Sequence, residues 1–250
     1  MRNYIAIIPA RLNSTRLPRK PILKIDNKYL IQHVFENVSK SKYLKKIIIA
    51  TDSEEIRSVC HTFNAPCILT NPELPSGTDR IYQAYIQSNE TADIIINIQG
   101  DEPFISATLI DDFIVFLENS NFDVGTIIKK IQDKNELFNP SVVKVVINSK
   151  NYALYFSRSP IPFVRDISND EWLDYTKFYK HIGIYAYTVD ALQKFVSLNQ
   201  SILEKIEKLE QLRLLENDAK YLCYETSQYL LSIDTPDDLE TAHRYIQTQK

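Results

Sequence analysis

Three short segments concentrate the side chains that could do chemistry. The first, P-A-R-L-N-S-T-R-L-P-R-K-P at 9–21, carries Arg11, Arg16, Arg19 and Lys20 with Asn13, Ser14 and Thr15. Clustered guanidiniums, an ammonium and hydroxyl donors behind a buried strand are what a triphosphate requires. The segment has no glycine, so it is neither a Walker A loop nor a GxGxxG turn. Pro18 and Pro21 stiffen it and favour a preorganised site over a merely solvated basic loop. The second segment, Q-G-D-E-P at 99–103, brings Asp101 and Glu102 to a strand end. Gly100 there permits a tight or positive-φ turn. A carboxylate in that place can hold one corner of a Mg²⁺ ion that keeps its waters and takes phosphate oxygens. It can equally cap the following helix, over 108–117. The third segment is S-I-D-T-P-D-D-L at 232–239, where Asp234 or Thr235 can cap a helix that starts at Pro236. Asp234 becomes a metal ligand only in partnership with Asp101.

Two further stretches carry polar groups in unusual places. In Y-K-H-I-G-I-Y-A-Y, 179–187, alternation puts Ile182, Ile184 and Ala186 on one face, and Tyr179, His181, Gly183, Tyr185 and Tyr187 on the other. That second face suits a sugar, whose hydroxyls need partners and whose ring faces suit tyrosines. A half-exposed sheet face is the plainer reading. Over 203–217 the apolar arc of a helix centres on Ile202, Ile206 and Leu209, yet Glu210 and Arg213 also fall inside it. Their i, i+3 spacing allows an ion pair, structural or part of a site.

The elements that position these segments alternate. Apolar runs at 4–9 and 47–51 read as strands buried on both faces, with further strands near 67–70 and over 93–99. Helical stripes lie between them: 30–38, a helix opening at Asp52-Ser53-Glu54-Glu55, and 78–87. Such alternation predicts right-handed crossovers and a mostly parallel α/β sheet. Ligands in such sheets sit beyond the carboxyl ends of the strands, where the three loops fall. After about Asp123 strand-like runs dominate, at 124–128, 142–147, 152–157 and 179–187, which predicts a smaller β-rich insertion. A helix, a strand and a last helix over 236–247 close the chain.

Composition removes other classes. The 250 residues are 44% hydrophobic and 24% charged with net charge −3, enough for one domain with a soluble core. Scattered Lys and Arg argue against a nucleic-acid binder. No apolar run approaches the roughly 20 residues of a membrane span, and the first residues do not resemble a signal peptide. Cys60, Cys67 and Cys223, an odd count without CxxC spacing, fit neither a disulfide framework nor a zinc site, and the four histidines show no ligand spacing. A reducing, cytoplasmic location is the expectation.

The strings PARLNSTRLPRKP, ATDSEEI, PSGTDR, NIQGDEPF, VKVV, YALYFSRSPIP, KHIGIYAY, EKLEQLRLLEN and SIDTPDDLE occur in the order found in 3-deoxy-manno-octulosonate cytidylyltransferases (CMP-Kdo synthetases). The chain resembles that family over essentially its whole length. The resemblance implies a GT-A-like (Rossmann-like) nucleotidyltransferase sheet in one domain, 1–250. It also implies a β-rich insertion at roughly 123–187 that serves dimerisation and sugar binding, and a homodimer. By resemblance Ala10, Arg11, Ser14, Arg16 and Lys20 meet the nucleotide, with Ser76, Gly77 and Arg80 near it. Asp101 and Asp234 become the Mg²⁺ ligands, and Lys20, Arg11 and Asp101 the catalytic set. Gln99, His181, Tyr185, Glu210 and Gln211 become sugar-site residues, with Arg158 a further candidate for the sugar's carboxylate or the phosphates. Many relatives have Gly where this chain has Arg19, and Gly-Lys-Pro where it reads Asn27-Lys28-Tyr29.

The expected reaction joins CTP and 3-deoxy-D-manno-octulosonate (Kdo) to give CMP-Kdo and pyrophosphate for lipopolysaccharide synthesis. Within the same chemistry the alternatives are 8-amino-Kdo or a sialic acid. From another class, the rival is a non-catalytic nucleotide- or sugar-binding protein, which would need neither Lys20 nor the paired aspartates.

Overall fold

A computed structural model describes residues 1–12 and 17–248. They form two compact units, Met1–Glu118 with Gln228–Lys250, and Asn119–Ser227. The expected insertion, 123–187, lies inside the second unit, which continues through three helices and one more strand.

The first unit opens with β1 (Tyr4–Ala10), whose apolar residues are almost wholly buried. A 3-10 turn at Lys20–Ile22 and the small hairpin β2 (Lys24–Ile25) and β3 (Lys28–Tyr29) lead into α1 (Leu30–Val38). Then follow β4 (Leu44–Thr51), α2 (Glu54–His61), β5 (Cys67–Leu69), α3 (Gly77–Ser88), β6 (Ile94–Asn97) and α4 (Ala107–Glu118). The strands run parallel in the order β6-β1-β4-β5, so the central β1 is buried on both faces as its composition requires. Caps set the helix starts. Ser53, not Asp52, accepts from Ile56 N at the start of α2, and Ser76 accepts from Asp79 N at the start of α3.

The second unit contains β7 (Val124–Lys130), α5 (Lys134–Phe138), β8 (Lys144–Ile147), β9 (Ala153–Ser157), α6 (Trp172–Tyr175) and β10 (Tyr179–Thr188). It continues through α7 (Val189–Ser197), α8 (Ile202–Glu207), α9 (Gln211–Leu215) and β11 (Tyr221–Glu225). β10 pairs antiparallel with β7 and β8, β8 with β9, and β11 runs parallel to β7. The register of β10 against β7 slips between Ile182 and Tyr185, so Gly183 and Ile184 form a bulge.

The single helix expected over 203–217 is two. It breaks at Lys208, a left-handed cap with φ 55° and ψ 48°. Ile202 and Ile206 do not centre a buried face; they are 73% and 72% exposed. The reason is Arg213, whose Nε and Nη2 donate to Glu204 across 2.8 and 2.6 Å with both side chains buried. Glu204 therefore takes the inward face of α8 and turns the isoleucines outward.

The chain returns to the first unit and ends in α10 (Pro236–Thr248). No helix among the described residues is long and apolar enough to cross a membrane.

Candidate active site

Three loops of the first unit converge on one ammonium. Lys20 Nζ donates to Asp101 Oδ2 at 2.7 Å and to Asp234 Oδ1 at 2.9 Å. Burial disfavours the Lys20 charge, but Asp101 and then Asp234 outweigh it and raise the pKa above 10.5. The backbone fixes the same meeting, because Ile233 N donates to Asp101 O at 2.9 Å.

Other side chains close the starts of the neighbouring helices. Ser106 Oγ accepts from Leu109 N and caps α4, so Asp101 is not a cap. Thr235 Oγ1 accepts from Asp238 N, and Asp238 Oδ2 accepts from the amides of Asp234 and Thr235. Those reciprocal bonds close the start of α10. Gly100 does not have the positive φ that its place in a turn allowed. It is required for another reason: a Cβ there would lie 2.9 Å from the carbonyl oxygen of Pro9. The 99–101 turn is thus pressed against the end of β1, where Ala10 is buried and Arg11 begins the basic loop.

Arg11 Nη2 donates to Leu74 O at 3.0 Å and so ties the basic loop to the segment before α3. Ser14 and Arg16 lie outside the described residues. Ser76 is buried at the cap of α3, next to Gly77. Arg80 lies on the same helix, but its side chain is sealed from solvent. It donates to Thr70 Oγ1 and, at 2.8 Å, to Asp52 Oδ2, while its Nε has no partner. Arg80 thus braces the loop between β5 and α3 from behind. Asp52 and Thr70, which sequence reasoning did not single out, are its supports.

In the second unit His181, Tyr185 and Tyr187 do share a face, with ring centroids 5.2 and 5.6 Å apart along the row. Tyr185 Oη donates to Gln211 Oε1 at 3.2 Å, and the buried Gln211 Nε2 has no partner. Burial, then the neighbouring Tyr187 and Glu210, push the Tyr185 hydroxyl well above pKa 10. Glu210 sits at the N-cap position of α9, directly before Gln211. His181 Nε2 lies 2.9 Å from Thr126 Oγ1, a contact the spacing of 179–187 does not reveal. Burial lowers the His181 pKa to about 3. Arg158 Nε, Nη1 and Nη2 donate to the carbonyls of Glu207, Pro140 and Lys208. Gln99, half-buried, belongs to the first unit beside Asp101.

The arrangement offers a cation flanked by two carboxylates in one unit, and a neutral aromatic-amide surface in the other. Among the described residues no three His, Cys, Asp or Glu gather as a metal cage. Two hard carboxylates alone suit an ion that completes its shell with water and phosphate, as Mg²⁺ does.

Comparison with known proteins supplies the family. The cytidylyltransferase family profile matches residues 5–222. A 3-deoxy-manno-octulosonate cytidylyltransferase of Thermodesulfovibrio yellowstonii is 44% identical over 250 aligned residues, covering 98% of each chain. The solved structure of a CMP:2-keto-3-deoxy-manno-octonic acid synthetase complexed with CTP superposes with a TM-score of 0.91 at 35% identity, over 99% of this chain and 100% of that one. The 4-diphosphocytidyl-2C-methyl-D-erythritol synthase of Anaerococcus prevotii, at 15% identity and TM-score 0.66, covers 98% of this chain and 96% of its own and shares the fold alone. With the strand-end cluster in place and relatives this similar over nearly the full length, the chain belongs to the 3-deoxy-manno-octulosonate cytidylyltransferase family.

Proposed function

We propose that this nucleotidyltransferase moves CMP from CTP to Kdo, giving CMP-Kdo and pyrophosphate for lipopolysaccharide synthesis, with Mg²⁺ as cofactor. One observation carries the reading: Lys20, Asp101 and Asp234, from three distant segments, meet within 2.7 and 2.9 Å at the strand ends of the first unit. The anomeric 2-hydroxyl of Kdo attacks the α-phosphorus of CTP. A new P–O bond forms, the bond to the bridging oxygen breaks, pyrophosphate leaves with that electron pair, and the hydroxyl proton is released. Such a transfer depends on positioning and charge neutralisation rather than covalent catalysis. Arg11, Arg16 and Lys20 offset charge on the phosphates, with Ala10, Ser14, Ser76 and Gly77 around the nucleotide. Asp101 and Asp234 would hold the Mg²⁺ ion, which when bound polarises the α-phosphate and lowers the pKa of the attacking hydroxyl.

Gln99, His181, Tyr185, Glu210 and Gln211 take the sugar acid. Arg158, with three nitrogens already on backbone carbonyls, holds the chain at 140 and 207–208 and reaches the sugar only with its remaining N–H groups. The enzyme works in the cytoplasm, where CTP is supplied. A homodimer is supported by the large apolar side chains that the second unit exposes: Phe163 is 76% exposed, Ile202 73% and Ile206 72%. Light scattering at assay concentration tests it, and a monomer there overturns it.

The deciding experiment is pyrophosphate release from purified protein with CTP, Kdo and Mg²⁺, each omitted in turn, with 8-amino-Kdo and sialic acid offered in parallel. Release that needs Kdo, CTP and metal is the expected result. Release with another sugar acid alone would move the substrate, and none with any sugar from CTP-binding protein would leave a binding module.

A further inference from the structure

Thr126 is buried in the middle of β7 and has one hydroxyl proton to give. Three neighbours approach its Oγ1: the carbonyl oxygen of Ile184 at 2.9 Å, that of Ile182 at 3.5 Å, and His181 Nε2 at 2.9 Å. The bulge at Gly183 and Ile184 creates this crowding, because two residues of β10 with no counterpart between Ile127 and Thr126 turn both carbonyls to one hydroxyl. A carbonyl only accepts. Two oxygens 2.9 Å apart in a buried place are held by a proton between them, so the Thr126 hydroxyl donates to Ile184 O. Its lone pair then faces His181, and Nε2 must be the donor.

The consequence is a fixed tautomer. With its one ring proton on Nε2, a neutral imidazole carries its lone pair on Nδ1, and no described residue bonds that atom. The ring is braced by the edge-on contact with Phe156, centroids 5.0 Å apart, and by Tyr185. Burial opposes the imidazolium form, in which Nδ1 would also carry a proton. An acceptor with no donor of its own selects a hydroxyl and turns away a carboxylate or phosphate oxygen, which would leave two acceptors face to face.

We propose that Thr126 is a positioning residue for sugar recognition: through its hydroxyl it holds His181 as the Nε2–H tautomer, so that Nδ1 accepts a hydrogen bond from a hydroxyl of the sugar acid. This rests on the reading of His181 as a sugar-site residue.

The test combines ¹⁵N spectra of the histidine rings in the full-length protein with steady-state kinetics on CTP and Kdo. Wild type, Thr126→Val and Thr126→Ser are compared. The expected result is an unprotonated Nδ1 and protonated Nε2 for His181 in wild type from pH 5 to 8. Thr126→Val loses the single tautomer and raises KM for Kdo by about tenfold, the worth of one hydrogen bond, with KM for CTP unchanged. Thr126→Ser restores both. A wild-type ring protonated on Nδ1, or doubly protonated, overturns the proposal whatever the kinetics. A tautomer that shifts in Thr126→Val without any change in KM for Kdo overturns the sugar contact alone. Failure of wild type to use Kdo at all would instead remove the functional reading, while the spectra would still decide the tautomer. Wild type and the serine variant keep the test decisive even where valine at 126 unfolds the protein.

Discussion

Lys20 Nζ stands 2.7 Å from Asp101 Oδ2, so the side chain assigned to phosphate and the one assigned to metal are already ion-paired. Asp234 joins the same ammonium at 2.9 Å. Two carboxylates that share one cation are spared much of their mutual repulsion, and the three loops are thereby held in one arrangement before any substrate arrives. Charge neutralisation and preorganisation come from the same contact.

Asp101→Asn keeps the size of the side chain and removes its charge. Turnover in the pyrophosphate assay is expected to fall by at least about 100-fold, the scale of losing one electrostatic stabiliser. Circular dichroism should remain that of the wild type, because Asp101 caps no helix. Near-normal metal-dependent turnover in this variant would refute the assignment of Asp101.

The same ion pair has a pH signature. Because the folded protein raises the Lys20 pKa above 10.5, its stabilisation is complete below that value and is lost as pH rises through the folded pKa. The difference in unfolding free energy between wild type and Asp101→Asn should therefore be constant from pH 7 to 9 and shrink at more alkaline pH. Urea titrations at pH 8 and 11 measure it. A gap that widens with alkalinity would contradict the pairing.

Two glycines that approach Pro9, one opening α3 and one after β6, give a matched contrast. A methyl group at Gly100 meets the Pro9 carbonyl at 2.9 Å, whereas at Gly77 the nearest atom, Pro9 Cγ, is 3.8 Å away in ordinary contact. Gly100→Ala should cost about 1–3 kcal/mol through forced backbone displacement. Gly77→Ala should stay within about 0.5 kcal/mol. Thermal melts of the two variants check the ordering, and equal effects would mean that the approach of Gly100 to Pro9 is not constraining.

Much of this was legible in the sequence. Runs such as Ile5–Ile8 and Ile47–Ile49 admit little besides buried parallel strands, and chemistry at their carboxyl ends follows from the topology. What could not be read depends on pairings distant in sequence or on backbone irregularity. Glu204 and Arg213 are nine residues apart, and their buried bond joins two helices that periodicity alone made one. Arg80 sits in a motif that points to the nucleotide, yet only the fold shows Asp52 and Thr70 behind it. Thr126 acquires its role from a bulge on another strand, and no spacing within 124–130 signals that.

Arg19 holds a backbone conformation that favours glycine. Its φ of 60° and ψ of 22° place it in the left-handed region, directly before Lys20. A side chain with a Cβ costs about 1–2 kcal/mol there, which glycine avoids. Glycine gives back about 0.5–1 kcal/mol through the greater freedom of the unfolded chain. The Arg19 guanidinium pairs with Glu55, but both side chains are more than two-fifths exposed, so the pair offsets little of the strain. Arg19→Ala and Arg19→Gly lose the ion pair equally and differ only in the backbone. The glycine variant should be the more stable of the two by about 0.5–1 kcal/mol, seen as a Tm higher by about 1–4 °C. Its turnover should equal or exceed that of the alanine variant, because the conformation that delivers Lys20 to Asp101 is then unstrained. An alanine variant as stable as the glycine one would show that the left-handed turn at Arg19 carries no strain in this chain.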